Sequence, residues 1–243
     1  LYISEFFWDS ISFLKKKPWK EKMTIAYFAG SRNTIYLNIT NRCTNKCVFC
    51  LKNFPNEYDF LHMHGRNEPD MQEILDSVKK LVGEAGKEGR KVGEICFCGY
   101  GEPLLRFGLV ESLIPELKKY SIVRIDTNGQ AKLWEENAAQ KLKHAGLDKI
   151  SISLNAQNSE VYNMLCKPNA ASDYEKVLEF TNECKSSGID TEVSAVEIPL
   201  EKMPAALGEF APDMEKIIKI SDDLGFKFRK RKYIGSALEA FLP

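Results

Sequence analysis

The sequence lacks the features that would direct it to a membrane or to nucleic acid. No apolar run approaches the roughly 18 residues that a membrane-spanning helix needs, and no segment has the pattern of a secretory signal peptide. Lysines and arginines number 34, as do aspartates and glutamates, so the formal net charge is zero. A chain without net charge has no global field that attracts a polyanion. These absences predict a cytoplasmic protein that binds no nucleic acid.

The cysteine content is unlike that of a secreted disulfide framework. The count of seven is odd, and three of these cysteines fall within eight residues. Small secreted domains usually carry an even number of cysteines. In a reducing compartment, the thiols are therefore predicted to be metal ligands or buried core residues.

Short β-branched runs alternate with longer amphipathic segments, which predicts an α/β fold. Strands that alternate with helices pair in parallel through right-handed crossovers. We therefore expect an incomplete (β/α)6 TIM-type barrel over residues 31–243, with its working residues at the carboxyl ends of the strands. The six predicted strands cover residues 34–39, 92–99, 122–129, 149–156, 191–198 and 226–234.

Helix boundaries are marked by residues with known end preferences. Asp70 is a predicted N-cap for a helix that begins at Met71. Gly146, Gly188 and Gly225 stand where helix C-terminal glycines belong. The other predicted helices cover residues 110–117, 133–144, 174–186 and 214–224.

The first 30 residues form a predicted extension with a different composition. Residues 1–22 are rich in aromatic side chains and then become abruptly basic. Three interpretations are open: a helix that caps the open end of the barrel, a helix that binds a partner or a membrane surface, or an extension before an internal start at Met23.

The three clustered cysteines are the strongest chemical signal. Cys43, Cys47 and Cys50 have the spacing Cys-x3-Cys-x2-Cys. Three thiolates on one tight loop would bind three irons of a [4Fe-4S] cluster and leave the fourth iron without a protein ligand. The alternative is a zinc site completed by His62 or His64. Structural zinc ligands usually come as two separated pairs, and no second pair of this kind follows.

Three segments resemble the radical S-adenosylmethionine (SAM) superfamily. They are CTNKCVFC at residues 43–50, CGYGEP at residues 98–103, and SISLNAQNSEVYNMLCKP at residues 151–168. The resemblance covers residues 34–233 and is greatest to the TatD-associated radical SAM proteins. It implies a [4Fe-4S] cluster on the three cysteines and SAM bound to the open iron. It also implies reductive cleavage of SAM to a 5′-deoxyadenosyl radical that removes a substrate hydrogen.

The resemblance also implies the residues that contact SAM. Gly101 and Glu102 match a Gly-Gly-Glu-Pro motif that holds the methionine ammonium group, and Tyr100 replaces its first glycine. A carboxylate suits this role because it accepts charge-assisted hydrogen bonds. The full predicted set of cofactor contacts is Phe49, Tyr100, Gly101, Glu102, Asn128, Ser153, Asn155 and Val196. No residue is assigned to catalysis.

The remaining cysteines and one long loop carry weaker signals. Cys96, Cys98, Cys166 and Cys184 lie inside predicted strand and helix patterns, which favours buried apolar thiols; a substrate-facing Cys98 is the alternative. Residues 52–69 make a long connection, which predicts a functional loop over the cluster that excludes solvent. His62 and His64 on this loop are interpreted as an exposed pair, or as donors to substrate or to a cluster sulfur.

The last predicted strand is strongly basic. Alternation places Lys230 and Lys232 on the opposite face from Arg229 and Arg231. One set could enter the barrel lumen, where it would need a phosphate or carboxylate partner. Alternatively, the strand is an exposed edge where charge discourages pairing with another chain. The basic residues 15–20 are interpreted as a solvated turn.

Three functional hypotheses follow. The first is a radical SAM enzyme of the oxidoreductase or lyase type that acts on a small anionic metabolite or a nucleoside. It would receive electrons from a donor such as flavodoxin or ferredoxin, and its family name suggests a functional link to a TatD-type hydrolase. The second is an activase that modifies a partner protein or peptide. The third is a metal-binding interaction protein without radical chemistry, which predicts zinc rather than iron and no affinity for SAM.

Overall fold

The strands and helices alternate as the hydrophobic pattern predicts. The computed structural model describes residues 24–29, 33–53, 61–169, 173–203 and 205–233. The predicted capping segment 1–22, the basic residues 15–20 and residues 54–60 of the predicted loop lie outside these ranges. In chain order the elements are β1 (Ala26–Ala29), β2 (Thr34–Leu37), α1 (Met71–Lys87), β3 (Glu94–Phe97), α2 (Phe107–Leu117), β4 (Ile122–Thr127), α3 (Ala138–His144), β5 (Lys149–Ser153), α4 (Ser159–Cys166), α5 (Asp173–Ser186), β6 (Asp190–Glu197), α6 (Met214–Asp223) and β7 (Lys227–Lys232).

Short 3-10 helices fill several of the connections between these elements. They occur at Leu51–Asn53, Pro103–Arg106, Ala131–Leu133, Leu200–Lys202 and Ala205–Phe210. The helix predicted from residue 133 is divided in this way, since only Ala138–His144 is α-helical. Within the described ranges, no helix is long and apolar enough to cross a membrane.

The strands form one mostly parallel sheet. Their order is β1-β2-β3-β4-β5-β6-β7, and in the described part of the chain the first and last strands have one neighbour each, so the sheet is open. The pairs β2–β3, β3–β4 and β6–β7 are parallel. All six predicted strands are confirmed, and so is the fold class of an incomplete α/β barrel. The antiparallel strand β1, which pairs Ala26 with Leu37, was not predicted because its residues are all apolar and show no alternation.

The chain divides into two compact units. The first comprises residues 1–42, 58–126 and 141–149. Ile35, Ile95 and Val123 come from its adjacent strands and are fully buried, as are Ile74 and Leu113 from its helices. Helix α1 packs on β1, β2 and α2. Each such aliphatic side chain stabilises the fold by about 1.5–3 kcal/mol on burial.

The second unit comprises residues 43–57, 127–140 and 150–243. Ile152, Val177 and Val193 are fully buried in its core. Helix α5 packs on β6 and α4, and α6 packs on β6 and β7. Gly129 has a φ of +81°, and a Cβ built there would lie 2.8 Å from Ile152 Cγ2 and 2.9 Å from Val177 Cγ1. A glycine is therefore required at this turn by both conformation and space.

The predicted helix ends are largely confirmed. Gly146, Gly188 and Gly225 have φ values of +95°, +77° and +66°, as expected where glycine ends a helix. Helix α4 was missed by the sequence analysis. It begins at an N-cap, Asn158, but ends at Lys167, whose φ is +43°. A non-glycine residue in the left-handed region is uncommon, so the helix ends without the usual glycine, although Pro168 follows.

Asp70 caps helix α1, as predicted, through a capping box. Its Oδ1 accepts a hydrogen bond of 2.9 Å from Glu73 N, and Glu73 Oε2 accepts one of 2.8 Å from Asp70 N. Each bond satisfies a backbone donor that the helix geometry leaves without a partner.

Asp70→Ala is expected to lower the free energy of unfolding by about 1 kcal/mol, because it removes the N-cap acceptor. Urea denaturation followed by circular dichroism measures the change. Glu84→Ala is the matched control: Glu84 is exposed on the same helix, and its replacement should leave stability within about 0.5 kcal/mol of the parent. Equal effects of the two substitutions would refute the capping role.

Candidate functional site

The loop carrying the three clustered cysteines lies in the second unit, where residues 165–169 anchor its backbone. Lys46 N donates to Cys166 O at 3.0 Å, Val48 N donates to Leu165 O at 2.9 Å, and Asn169 N donates to Thr44 O at 2.9 Å. The side chain of Asn53 donates to the carbonyls of Cys47 and Val48 at 3.0 and 3.1 Å. The thiols of Cys43, Cys47 and Cys50 are thus carried on a loop whose backbone has fixed partners.

A buried polar triad lies under this loop. Asn45 Nδ2 donates to the hydroxyl of Tyr162 at 3.2 Å. Gln130 Nε2 donates to the same hydroxyl at 2.9 Å and to Asn45 Oδ1 at 2.8 Å. Tyr162 and Gln130 are fully buried, and Asn45 is 8% exposed. Hydrogen bonds in such a low-dielectric setting fix side-chain positions strongly, so the triad ties the loop to α4 and to the segment after β4.

Two of the clustered thiols have raised pKa values. The hydrogen bond with Cys166 and then burial raise the pKa of Cys47 well above its usual value, while the nearby charge of Arg231 acts in the opposite direction. Burial also raises the pKa of Cys50, against the effect of Lys52. A metal ion must therefore displace the protons before these thiols act as thiolate ligands.

The predicted ribose contacts Ser153 and Asn155 meet at one guanidinium group. Arg231 Nη2 donates to Ser153 Oγ at 3.2 Å and to Asn155 Oδ1 at 2.9 Å. Asn155 Oδ1 also accepts a hydrogen bond of 3.3 Å from Val196 N. Asn155 lies after the end of β5 with a φ of +59°, a conformation that asparagine tolerates better than most residues. The structure thus joins Ser153 and Asn155 through Arg231, and joins Val196 to Asn155 directly.

Asn155 also connects these residues to the cysteine loop. Its Nδ2 lies 3.8 Å from Cys166 Sγ, and Cys166 in turn hydrogen-bonds with Cys47. Cys166 is buried, as predicted. It is more than core filling, however, because it contacts both a predicted iron ligand and a predicted ribose contact.

The charges of β7 divide between its two faces as the alternation predicts. Arg229 Nη2 donates to Ser151 Oγ at 2.8 Å, and its Nε pairs with Glu192 at 2.6 Å. Lys230, on the other face, is exposed and pairs with Glu197 at 2.9 Å. The strand is at the edge of the sheet, and Arg229 and Arg231 reach inward to β5. The interpretation of inward-facing charges therefore fits Arg229 and Arg231, and the interpretation of an exposed edge fits Lys230.

Asn128 and Phe49 also belong to the second unit. Asn128 Nδ2 donates to Thr44 Oγ1 at 2.8 Å and lies 3.8 Å from Cys43 Sγ. Phe49 is half-buried on the cysteine loop. Asn128 therefore reaches a predicted iron ligand directly, a contact that the sequence did not indicate.

The glycines of the CGYGEP segment, in the first unit, allow a close approach to the chain that leads into the cysteine loop. A Cβ at Gly101 would lie 2.4 Å from Arg42 O and 2.5 Å from Thr40 O, and a Cβ at Gly99 would lie 2.4 Å from Asn38 Oδ1. Glu102 N donates to Arg42 O at 2.8 Å. Gly101 is thus required by packing within the protein.

Tyr100 and Glu102 are both buried. Tyr100 N donates to Asn38 Oδ1 at 2.9 Å, and its ring makes an edge contact with His62 at 5.6 Å between centroids. Glu102 Oε1 accepts a hydrogen bond of 2.9 Å from Leu104 N. His64 is exposed, and its N donates to His62 Nδ1 at 2.9 Å. The two histidines thus interact with each other, and His62 supports Tyr100.

Glu68 stabilises the segment before the cysteine loop in the same unit. It binds Arg42 through both carboxylate oxygens at 2.9 Å, contacts Arg106 at 3.4 Å and accepts a hydrogen bond from Thr40. The pKa of Glu68 is lowered: partial burial opposes this shift, but the hydrogen bonds from Arg42 and Thr40 outweigh it. Sequence analysis missed this network, because no local pattern joins Glu68 to Thr40.

A second group of ionisable side chains lies on one face of β2, β3 and β4. The register pairs Tyr36 with Cys96 and Cys96 with Arg124. Arg124 forms ion pairs with Glu94 at 3.0 Å and with Asp126 at 2.9 Å. Burial raises the pKa of Cys96 well above its usual value, as does its hydrogen bond with Cys98. Cys96 is buried as predicted, whereas Cys98 is half-buried.

Comparison with known proteins identifies the family. A model of the radical SAM superfamily matches residues 37–201, more than half of the chain. The chain belongs to the radical SAM superfamily. The members of this superfamily use a [4Fe-4S] cluster and SAM, in agreement with the cofactors predicted here.

Individual proteins agree with this assignment. A probable GTP 3′,8-cyclase of Methanococcus maripaludis strain C7 is 28% identical, over 84% of this chain and 73% of that protein. A GTP 3′,8-cyclase of Alkaliphilus oremlandii is 29% identical, over 84% of this chain and 58% of that protein. The solved structure of native anSMEcpe with bound AdoMet has a TM-score of 0.57 at 18% identity, over 82% of this chain and 50% of that one. This last similarity supports the fold.

The donors of the cysteine loop fit the cluster of a radical SAM protein. Among the described residues, no three side chains of His, Cys, Asp or Glu converge on a point where a single metal ion would bind. Thiolates that bind three different irons of a cube have no need to converge on one point. Backbone and amide N–H groups surround the cysteine sulfurs, as suits thiolate ligands of iron.

Tyr162→Phe is expected to lower the free energy of unfolding by about 3 kcal/mol, because it removes a buried hydroxyl that accepts two hydrogen bonds, from Asn45 Nδ2 and Gln130 Nε2. Chemical denaturation of the metal-free chain measures this loss. Tyr174→Phe is the matched control, since Tyr174 makes a single hydrogen bond of 3.1 Å to Ala156 O; a loss of about 1.5 kcal/mol is expected there. A smaller loss for Tyr162 than for Tyr174 would contradict the anchoring role of the triad.

Gly101→Ala should destabilise the protein by about 3 kcal/mol, the upper end of the range for overpacking, because its Cβ would meet two backbone oxygens. Gly108→Ala provides the comparison, because a Cβ at Gly108 in α2 has nothing within 4 Å. That substitution should stabilise the helix by about 0.5–1 kcal/mol. Thermal denaturation of both variants tests the pair, and a neutral effect at Gly101 would show that the close approach is not required.

Proposed function

We propose that the chain is an enzyme that binds a [4Fe-4S] cluster on Cys43, Cys47 and Cys50 and cleaves SAM reductively. When bound, the cluster supplies one electron to the sulfonium of SAM, which yields methionine and a 5′-deoxyadenosyl radical that takes a hydrogen atom from the substrate. The observation that carries this proposal is the geometry of the cysteine loop. Its three thiols stand on one anchored backbone, and Cys166 connects the loop to Asn155, a predicted SAM contact.

The cysteine loop positions the iron ligands before any metal arrives. Residues 165–169 bond its backbone, and the Asn45–Gln130–Tyr162 triad holds it from beneath. Such preorganisation lowers the entropy lost when a cofactor binds. We infer that the loop presents three thiolates and leaves the fourth iron to SAM.

Ser153, Asn155 and Val196 are proposed to hold the nucleoside part of SAM. Asn155 Oδ1 already accepts hydrogen bonds from Arg231 and Val196 N, so the amide orientation is fixed. Its Nδ2 donates to Ser153 O at 3.3 Å and to Cys166 Sγ at 3.8 Å, which holds the amide beside Ser153. An amide and a hydroxyl at one place are groups of the kind that pair with the two hydroxyls of a ribose.

The remaining predicted contacts rest on the resemblance to the superfamily. Glu102 is proposed to accept the methionine ammonium group, which its burial favours because charge-assisted hydrogen bonds strengthen away from water. Tyr100, Gly101, Asn128 and Phe49 stay predictions as direct SAM contacts. The similarity to the TatD-associated group, and with it a functional link to a TatD-type hydrolase, is likewise a prediction.

The substrate is proposed to be a small nucleotide. Two relatives are named as GTP 3′,8-cyclases, and this chain spans between about half and three quarters of the length of the curated relatives it matches. A shared nucleotide substrate agrees with the expectation of a small anionic metabolite or a nucleoside. An electron donor of the flavodoxin or ferredoxin type would supply the reducing electron.

Anaerobic reconstitution with iron, sulfide, dithionite and SAM tests the activity. The parent chain is expected to develop the absorption of a [4Fe-4S] cluster and to release 5′-deoxyadenosine, measured by liquid chromatography with mass spectrometry. Added GTP or another nucleoside triphosphate should raise this release. When the nucleotide is labelled with deuterium, the label should appear in 5′-deoxyadenosine. Single Cys→Ser variants at positions 43, 47 and 50 should lose both the cluster and the product.

Cys184→Ala is the control for these variants, because Cys184 is a buried thiol on α5. It should bind the cluster and cleave SAM as the parent does, with a small loss of stability. Zinc in place of iron, or 5′-deoxyadenosine release that persists in all three serine variants, would refute the proposed function.

A further inference from the structure

Asn128 has a fixed amide orientation next to a predicted iron ligand. Its Oδ1 accepts a hydrogen bond of 3.0 Å from Gln130 N. A backbone N–H is always a donor, so the oxygen must face Gln130 and the amide nitrogen must face the other way. That nitrogen lies 2.8 Å from Thr44 Oγ1 and 3.8 Å from Cys43 Sγ.

A second donor approaches the same sulfur from the loop itself. Asn45 N donates to Cys43 Sγ at 3.4 Å. Two N–H groups from different parts of the second unit, one on the cysteine loop and one after β4, therefore meet at one sulfur atom. Cys47 hydrogen-bonds with the thiol of Cys166 and with the side chain of Asn45, and Cys50 hydrogen-bonds with the backbone of Lys52.

Hydrogen bonds to the sulfurs of an iron–sulfur cluster change its reduction potential. Reduction adds negative charge to the cluster and its thiolates. An N–H donor stabilises that charge, so it favours the reduced form and raises the potential. Partners of the ligands commonly tune metal sites in this way.

We propose that Asn128 is a positioning residue that raises the reduction potential of the cluster through its hydrogen bond to Cys43. This inference rests on the proposed function, because it requires the cluster on Cys43. It gives Asn128 a role toward the iron ligand in addition to the direct SAM contact predicted from the sequence.

The test compares the midpoint potential of the reconstituted cluster in the parent and in three variants, by redox titration monitored by electron paramagnetic resonance without SAM. Asn128→Leu removes the donor at nearly constant size, and its potential should be lower than that of the parent. Asn128→Asp keeps the oxygen that accepts from Gln130 N but places negative charge near Cys43 Sγ. Its potential should be lower still.

Thr44→Val is the matched control. It removes the other partner of the Asn128 amide and leaves the donor to the sulfur in place, held by Gln130 N. Its potential should equal that of the parent. A potential lowered as much in Thr44→Val as in Asn128→Leu would mean that Asn128 only shapes the loop, which would overturn the inference.

The remaining outcomes also decide the question. An unchanged potential in Asn128→Leu, with a cluster present, overturns the tuning role and leaves the proposed function intact. If the leucine variant binds no cluster, the aspartate variant decides alone. If neither variant binds a cluster while Thr44→Val does, Asn128 serves assembly and the tuning role is wrong. A parent chain that binds no cluster overturns the proposed function and this inference together.

Discussion

The arrangement of the second unit depends on the attachment of an eight-residue cysteine loop to residues 165–169. The loop buries the side chain of Val48 and half-buries that of Phe49, and further contacts restrict its backbone. Here the N–H groups of Lys46 and Val48 find acceptors at the end of α4. The Asn45–Gln130–Tyr162 triad adds buried polar contacts, which are directional and therefore define one loop conformation. Apolar packing alone would tolerate small shifts of the sulfurs.

This attachment connects two of the sequence segments that resemble the family, residues 43–50 and 151–168. The segment at residues 151–168 contains both the proposed ribose contacts and the end of α4 that bonds to the cysteine loop. A change there would affect ligand contacts and iron ligands at once. In the first unit, Gly99 and Gly101 pack against residues 38–42, and Glu68 binds Arg42 and Thr40. The glycines of the motif therefore have a packing role inside the protein that is independent of any ligand.

Much of the fold could be predicted because its signals are local. The alternation of strand and helix patterns along the chain predicted parallel strands, and the periodicity of α1 predicted its buried face. Asp70 and Gly146 marked helix ends by their own backbone preferences. The cysteine spacing likewise predicted the iron ligands without any structure. Helix α4 was missed because it is only eight residues long and ends without a glycine, and β1 because its four residues are all apolar and show no alternation.

The contacts around the site could not be predicted in the same way. Gln130 and Tyr162 are 32 residues apart along the chain, and Arg231 lies 76 residues from Asn155. Nothing in the sequence near Arg231 shows that its guanidinium reaches two strands away, since a basic edge strand has the same pattern. Alternation could divide the charges of β7 between two faces, but only the fold determines which face meets Ser151 and Ser153.

The polar faces of the sheet are difficult to explain by stability. In the first unit, Glu94, Arg124 and Asp126 form largely buried ion pairs, and in the second unit Arg229 pairs with Glu192. Buried ion pairs contribute little net stability, because the desolvation of both charges offsets their attraction, and apolar replacements are often as stable. A sheet face selected only for folding would carry the aliphatic residues found on the opposite face, such as Ile95 and Val123. Stability alone therefore does not account for the fixed charges on this face.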